Sequence, residues 1–161
     1  MSQVFAGRYS AQLKGTFVVF LIGMRINRLL AFGKWVPVAR AMGPMIRELY
    51  ANKSSGFLHA ETMVTWRGVA LVQYWRSFEQ LHGYAHNRDA NHMPAWIAFN
   101  RSVGNGGSVG IWHETYEVAA GRYECVYGNM PRWGLAGAGE HAPAEGQLRD
   151  AKSRMGEPSG G

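Results

Sequence analysis

Cysteine is nearly missing from this chain: Cys125 stands alone among 161 residues. One thiol excludes an intramolecular disulfide and any multi-cysteine zinc site. With no signal-peptide pattern at the start of the sequence, the expectation is a reducing, cytoplasmic setting. Long apolar runs are missing too. The longest, Phe17 to Met24, has eight residues, whereas a helix crossing a bilayer needs about twenty. The run reads as a buried strand. There is no run of Lys and Arg either. The net charge is +6, but the cations are scattered from Arg25 to Arg132, and no zinc-finger or RNA-recognition signature accompanies them. That argues against nucleic acid as a partner.

What is present suits a globular domain: 47% hydrophobic and 12% aromatic residues. The stretch Val109 to Tyr127 organises the rest. Period-two alternation puts Val109, Ile111, His113, Thr115 and Glu117 on one face of a strand. Gly110, Trp112, Glu114, Tyr116 and Val118 fall on the other. Tyr123, Cys125 and Tyr127 read as a second strand continuing from it. Ionisable groups on such a surface need partners or shift their pKa, which makes His113 and Glu114 candidates for chemistry. A histidine hydrogen-bonded in a core, or lying in a dimer contact, is the structural alternative.

Along the chain, residues 1 to 14 read as polar edge with Phe5 and Tyr9 as anchors, and TFVVFLIGMRIN (16–27) as a strand. Arg25, Asn27 and Arg28 close that strand, where a ligand pocket often lies. A helix follows from about Lys34 to Tyr50, its apolar stripe made by Val38, Met42, Met45, Ile46 and Leu49. Gly43-Pro44 predicts a kink within it. Phe57 to Val64 and Val69 to Trp75 form a hairpin, with Trp75 and Gln73 on one face and Tyr74 on the other. Ser77 to Gln80 looks like a capping box opening a helix through His86. A second short helix is expected from Pro94 to about Val103, carrying Trp96. His82 and His86, four apart, match a metal-binding spacing, but no glutamate of the metalloprotease pattern lies between them, and no metal site is assigned.

The order strand, helix, strand, strand, helices, strand is the split βαβ, ferredoxin-like arrangement: an α+β fold with an antiparallel sheet and helices on one face. The other face would be bare, which leads to the expectation of a homodimer. The domain is expected to span residues 1–136, with a disordered Gly/Ala-rich tail over 137–161.

FVVFLIGMRIN (17–27), WVPVARAMGPMIREL (35–49), QYWRS (73–77), HMPAWIAFN (92–100), VGIWHETY (109–116) and YGNMPRWGL (127–135) resemble one bacterial and fungal family. It was formerly a domain of unknown function and is labelled monooxygenase-like after a fumagillin-pathway member. The family is similar to the dimeric α/β-barrel superfamily, with its antibiotic-biosynthesis monooxygenases, haem-degrading enzymes and haem-containing aldoxime dehydratases. The resemblance implies that fold and an apolar pocket in which a small hydrophobic or aromatic molecule is oxidised without an organic cofactor.

In this reading His113 acts as base, with Glu114 beside it, and Arg76, Arg25 or Asn27 steadies a developing oxyanion. Trp75, Trp96 and Trp112 form the pocket wall, with Tyr116 nearby. The haem-dependent alternative uses His113 or His92 as iron ligand and Arg25 or Arg76 for a propionate. The absence of a CxxCH motif leaves noncovalent haem open. A third reading is a non-enzymatic module that holds an apolar ligand.

Overall fold

The apolar run beginning at Phe17 acquires a hydrogen-bonded neighbour on each side. In the computed structural model, which describes residues 2–87, 97 and 106–156, β2 (Phe17–Ile26) pairs with β4 (Gly68–Trp75) and β5 (Val109–Val118). β3 (Phe57–Thr65) completes an antiparallel sheet of order β3-β4-β2-β5. Its central strands are the β-branched and aromatic runs, as burial on both faces requires. Among the described residues two helices connect the strands of this sheet: α1 (Phe32–Ala51) joins β2 to β3, and α2 (Phe78–Ala85) follows β4. This is the interleaved βαβ arrangement of the ferredoxin-like fold. No helix among the described residues is long and apolar enough to cross a membrane.

α1 runs through both Pro37 and Pro44, although each proline lacks the N–H that the preceding turn would receive. α2 opens as its sequence predicts: the Ser77 hydroxyl accepts from the Gln80 N–H at 3.3 Å. The Glu79 carboxyl is held below its ordinary pKa by its own backbone N–H and then by a hydrogen bond from the Ser77 hydroxyl. Val18, Leu49, Phe57, Trp75 and Leu81 form the core between sheet and helices, with Val18 and Trp75 fully buried.

Three expectations are corrected on the other face of the sheet. Residues 1 to 14 are not a plain edge: Phe5–Gln12 is a strand, β1. The second strand expected at Tyr123 begins later, as β6 (Tyr127–Met130), and pairs with β1 rather than with β5. Side chains tie the intervening segment to β1. Tyr123 Oη accepts from the Leu13 N–H at 2.6 Å and donates to the Leu13 carbonyl at 3.1 Å. The Cys125 carbonyl accepts from Ser10 Oγ at 2.9 Å.

The tail expected to be disordered from 137 onward instead supplies β7 (Glu140–Pro143), paired with the far edge of β1. It also supplies the end of α3 (Leu135–Ala138) and all of α4 (Ala151–Arg154). Its small residues serve close packing. A Cβ on Gly137 would run into the His59 ring, and one on Gly139 into the Gln12 carbonyl. Leu135, Ala136 and Ala144 are buried. A composition poor in large apolar residues therefore reflects tight backbone approach here, and not lack of structure.

β7 also carries His141, stacked on Tyr9 (ring centroids 4.6 Å) and edge-on to Phe5 at 4.8 Å. Its Nε2 is buried with no partner among the described residues. Desolvation, and then the positive charge of Arg132, hold its pKa below the ordinary 6.5. The unfolded chain therefore takes up this proton first as pH falls. Stability is expected to decline below about pH 6.5 until the folded-state pKa is passed, and to be indifferent to His141 above it. Thermal midpoints between pH 8 and 5 check this. A decline just as steep in His141→Phe would refute the assignment.

Candidate functional site

Alternation along three strands sends Phe20, Ile22 and Met24 of β2, Leu71, Gln73 and Trp75 of β4, and Ile111, His113 and Thr115 of β5 toward the helices. Opposite them stand Met42, Met45 and Leu49 of α1 and Leu81, His82 and Tyr84 of α2. Sheet and helices do not close fully on one another. They leave a cavity of about 600 Å³, within the range of small-molecule sites. Phe78, His82, His86, Ile111, His113 and Thr115 line it and are exposed, so it opens to solvent along α2 and β5.

The lining is aliphatic and aromatic except at a few points. His113 packs against Phe20, ring centroids 5.8 Å apart. Deeper in, Trp75 Nε1 donates to Gln73 Oε1 at 2.9 Å, and Trp75 is itself wedged between Phe57 and Tyr84, each at 5.5 Å. Burial, and then the Glu48 carboxylate, raise the Tyr84 pKa far above its ordinary value, so that phenol stays protonated. At the mouth, the His82 and His86 rings stack with centroids 4.0 Å apart. His86 Nδ1 lies 2.9 Å from the His82 carbonyl, a geometry that makes Nδ1 the protonated nitrogen. No group of three or more potential metal ligands occurs among the described residues.

The structure brings together only part of the residue set that the sequence singles out. His113 and Trp75 share the cavity wall. Trp112, Glu114 and Tyr116 lie on the opposite face of β5, since side chains alternate along a strand. The Trp112 indole lies across Gly23, where a Cβ would sit only 2.7 Å from it. Glu114 accepts from Tyr116 Oη at 2.6 Å, and this bond raises the Tyr116 pKa. Glu114 is therefore the partner of Tyr116, not of His113.

Arg25 donates to Asn27 Oδ1, and Asn27 Nδ2 donates to the Gly107 carbonyl at 3.0 Å, both at the end of β2 and off the cavity. Arg76 is exposed beyond β4, its backbone N–H on the Gly56 carbonyl, and does not line the cavity either. His92, Trp96 and the helix expected from 94 to 103 lie outside the described residues. Sequence reasoning undervalued Gln73 and the inner face of α2. Both signals were available, in the alternation of β4 and in the apolar spacing of Phe78, Leu81 and Tyr84.

Residues 17–135 match the family described as Monooxygenase af470-like. Monooxygenase af470 of Aspergillus fumigatus is 29% identical over 154 residues, covering 80% of this chain and 53% of that protein. The chain thus spans about half the length of this curated relative. Among solved structures, the aldoxime dehydratase OxdRE in complex with butyraldoxime superposes with a TM-score of 0.58 at 13% identity, over 86% of this chain and 38% of its own. That likeness concerns the fold alone. SnoaB, a cofactor-independent oxygenase from Streptomyces nogalater, matches at a TM-score of 0.41 and 12% identity, over 62% of this chain and 90% of its own.

Proposed function

The chain belongs to the monooxygenase af470-like family, and from that membership we propose that it oxidises a small hydrophobic or aromatic molecule held in the cavity between sheet and helices. The observation that carries this reading is His113, an imidazole on the wall of an otherwise largely apolar space. Imidazole is the side chain best matched to proton transfer near neutral pH. For a methylene flanked by aromatic rings or a carbonyl, His113 takes one C–H proton. The resulting carbanion reduces dioxygen and forms a C–O bond, and the proton returns to give a hydroperoxide. Removal of the second C–H proton then breaks the O–O bond and releases water. One oxygen atom remains as a carbonyl and the other leaves in water, so no further reductant is consumed.

Haem fits the described residues poorly. Its propionates call for fixed cations, and among the described residues no Lys or Arg lines the cavity. Arg25 and Arg76 point elsewhere. The reading is therefore cofactor-free.

Oxygen uptake tests it, measured with no flavin, nicotinamide or metal added, on a panel of cyclic ketones and phenols with anthrone first. Protein-dependent uptake above the spontaneous rate is the expected result. A Soret band that forms when haem is supplied, and disappears in His113→Ala, would end the cofactor-free account. No uptake across the panel would leave the binding module. The same preparation tests the homodimer, which we propose to rest on the sheet face where Trp112 and Tyr116 are 40% and 51% exposed; sedimentation at the mass of one chain, 17.9 kDa, would dismiss it.

A further inference from the structure

Among the polar side chains that line the cavity is that of Gln73, a residue only 5% exposed. Its orientation follows from chemistry. The Trp75 indole N–H is a donor and never an acceptor, so the amide oxygen must face it, as the 2.9 Å bond shows. The amide NH₂ is thereby turned away from Trp75, and it has no hydrogen-bond partner among the described residues. Nε2 is not among the fully buried atoms that lack a partner, so it is open to the cavity. A fixed donor facing a largely apolar space is a recognition element.

We infer that Gln73, oriented by Trp75, is the specificity anchor of the cavity and selects apolar molecules that carry a carbonyl oxygen. The inference rests on the proposed use of the cavity and adds the class of substrate. Strand register sets the layout: Gln73, Phe20 and Thr115 lie in one row across β4, β2 and β5, with His113 next to Thr115's row on the same face. Two strand spacings separate the backbones of Gln73 and Thr115 by about 10 Å. A ligand whose carbonyl accepts from Gln73 Nε2 therefore lays its apolar body across Phe20 and brings its far side to His113. A fused bicyclic or tricyclic ketone meets that description, and a simple hydrocarbon does not.

A matched pair of probes isolates the interaction: 1-tetralone, which has the carbonyl, and tetralin, which lacks it. Equilibrium dialysis against the full chain is expected to show that Gln73→Met weakens 1-tetralone about 3- to 10-fold, the range for one neutral hydrogen bond, and leaves tetralin within about twofold. Trp75→Phe provides a second, independent reading. It keeps Gln73 but frees the amide to turn its oxygen inward, so 1-tetralone again weakens selectively. Equal weakening of both probes, or unchanged 1-tetralone binding in either variant, would overturn the anchor while leaving the cavity reading in place. If the wild-type chain binds neither probe, the cavity reading itself fails and the anchor with it.

Discussion

His113→Ala is expected to lower substrate-dependent oxygen uptake by about 10²- to 10⁴-fold, the usual worth of a positioned general base. The effect should fall on turnover, because the ring contributes one polar point to a lining otherwise made by Phe20, Leu71, Met42 and their neighbours. Folding should be nearly untouched. His113 is exposed on the edge strand β5, and exposed substitutions of this kind usually move stability by no more than about 0.5 kcal/mol. The cavity opens beside the lost ring, so added imidazole should enter the gap and recover part of the rate. Glu114→Gln is the internal control: its carboxylate serves Tyr116 on the opposite face, and activity should stay within about threefold, since a group remote from the base contributes little to proton transfer. An alanine variant with near-wild-type turnover, or a glutamine variant as poor as it, would show that the base is elsewhere.

That control exists only because of a distinction the sequence shows in part. Alternation along 109–118 separates His113 from Glu114, Trp112 and Tyr116, and the structure keeps that separation. What alternation does not reveal is which face meets the helices. The choice is settled across the sheet: His113 pairs opposite Ile22, whose face packs under α1, while Trp112 pairs opposite Gly23. The four-stranded core and the helices α1 and α2 were legible from their apolar periodicities, reinforced in α2 by the Ser77 cap. The second sheet was not. β1 reads FAGRYSAQ, with little alternation, and β7 has four residues. Each is a strand through its partners, and pairing between residues more than a hundred positions apart leaves no local trace. Tyr123 and Cys125 were taken for ladder residues because tyrosine suits strands; their side chains cap β1 instead.

Gly68→Ala is expected to be the most damaging small substitution in the sheet. Gly68 opens β4 and pairs with Arg25 on one side and Thr65 on the other. A methyl group there would fall on the Met24 carbonyl oxygen and close to the Arg25 Cα. Neither is the movable end of a side chain. The β2 backbone must give way, in a strand held on both flanks and anchored beside it by the Ile26 N–H on the Arg67 carbonyl at 2.6 Å. Overpacking that displaces backbone costs about 1–3 kcal/mol, occasionally more, a fall of roughly 2–12 °C in thermal midpoint for a chain of this size. Gly43→Ala provides the contrast. A methyl group there meets nothing within 4 Å, and replacing glycine within α1 should add about 0.5–1 kcal/mol. Both substitutions remove a glycine's backbone freedom and only Gly68→Ala meets a clash, so opposite signs in thermal melting would separate packing from backbone entropy. Met24 is at once the neighbour that must move and part of the cavity wall. Any folded Gly68→Ala protein should therefore bind 1-tetralone and tetralin more weakly together, whereas Gln73→Met weakens only the ketone. A Gly68→Ala chain as stable as the wild type would mean that β2 and β4 do not approach one another as closely as described.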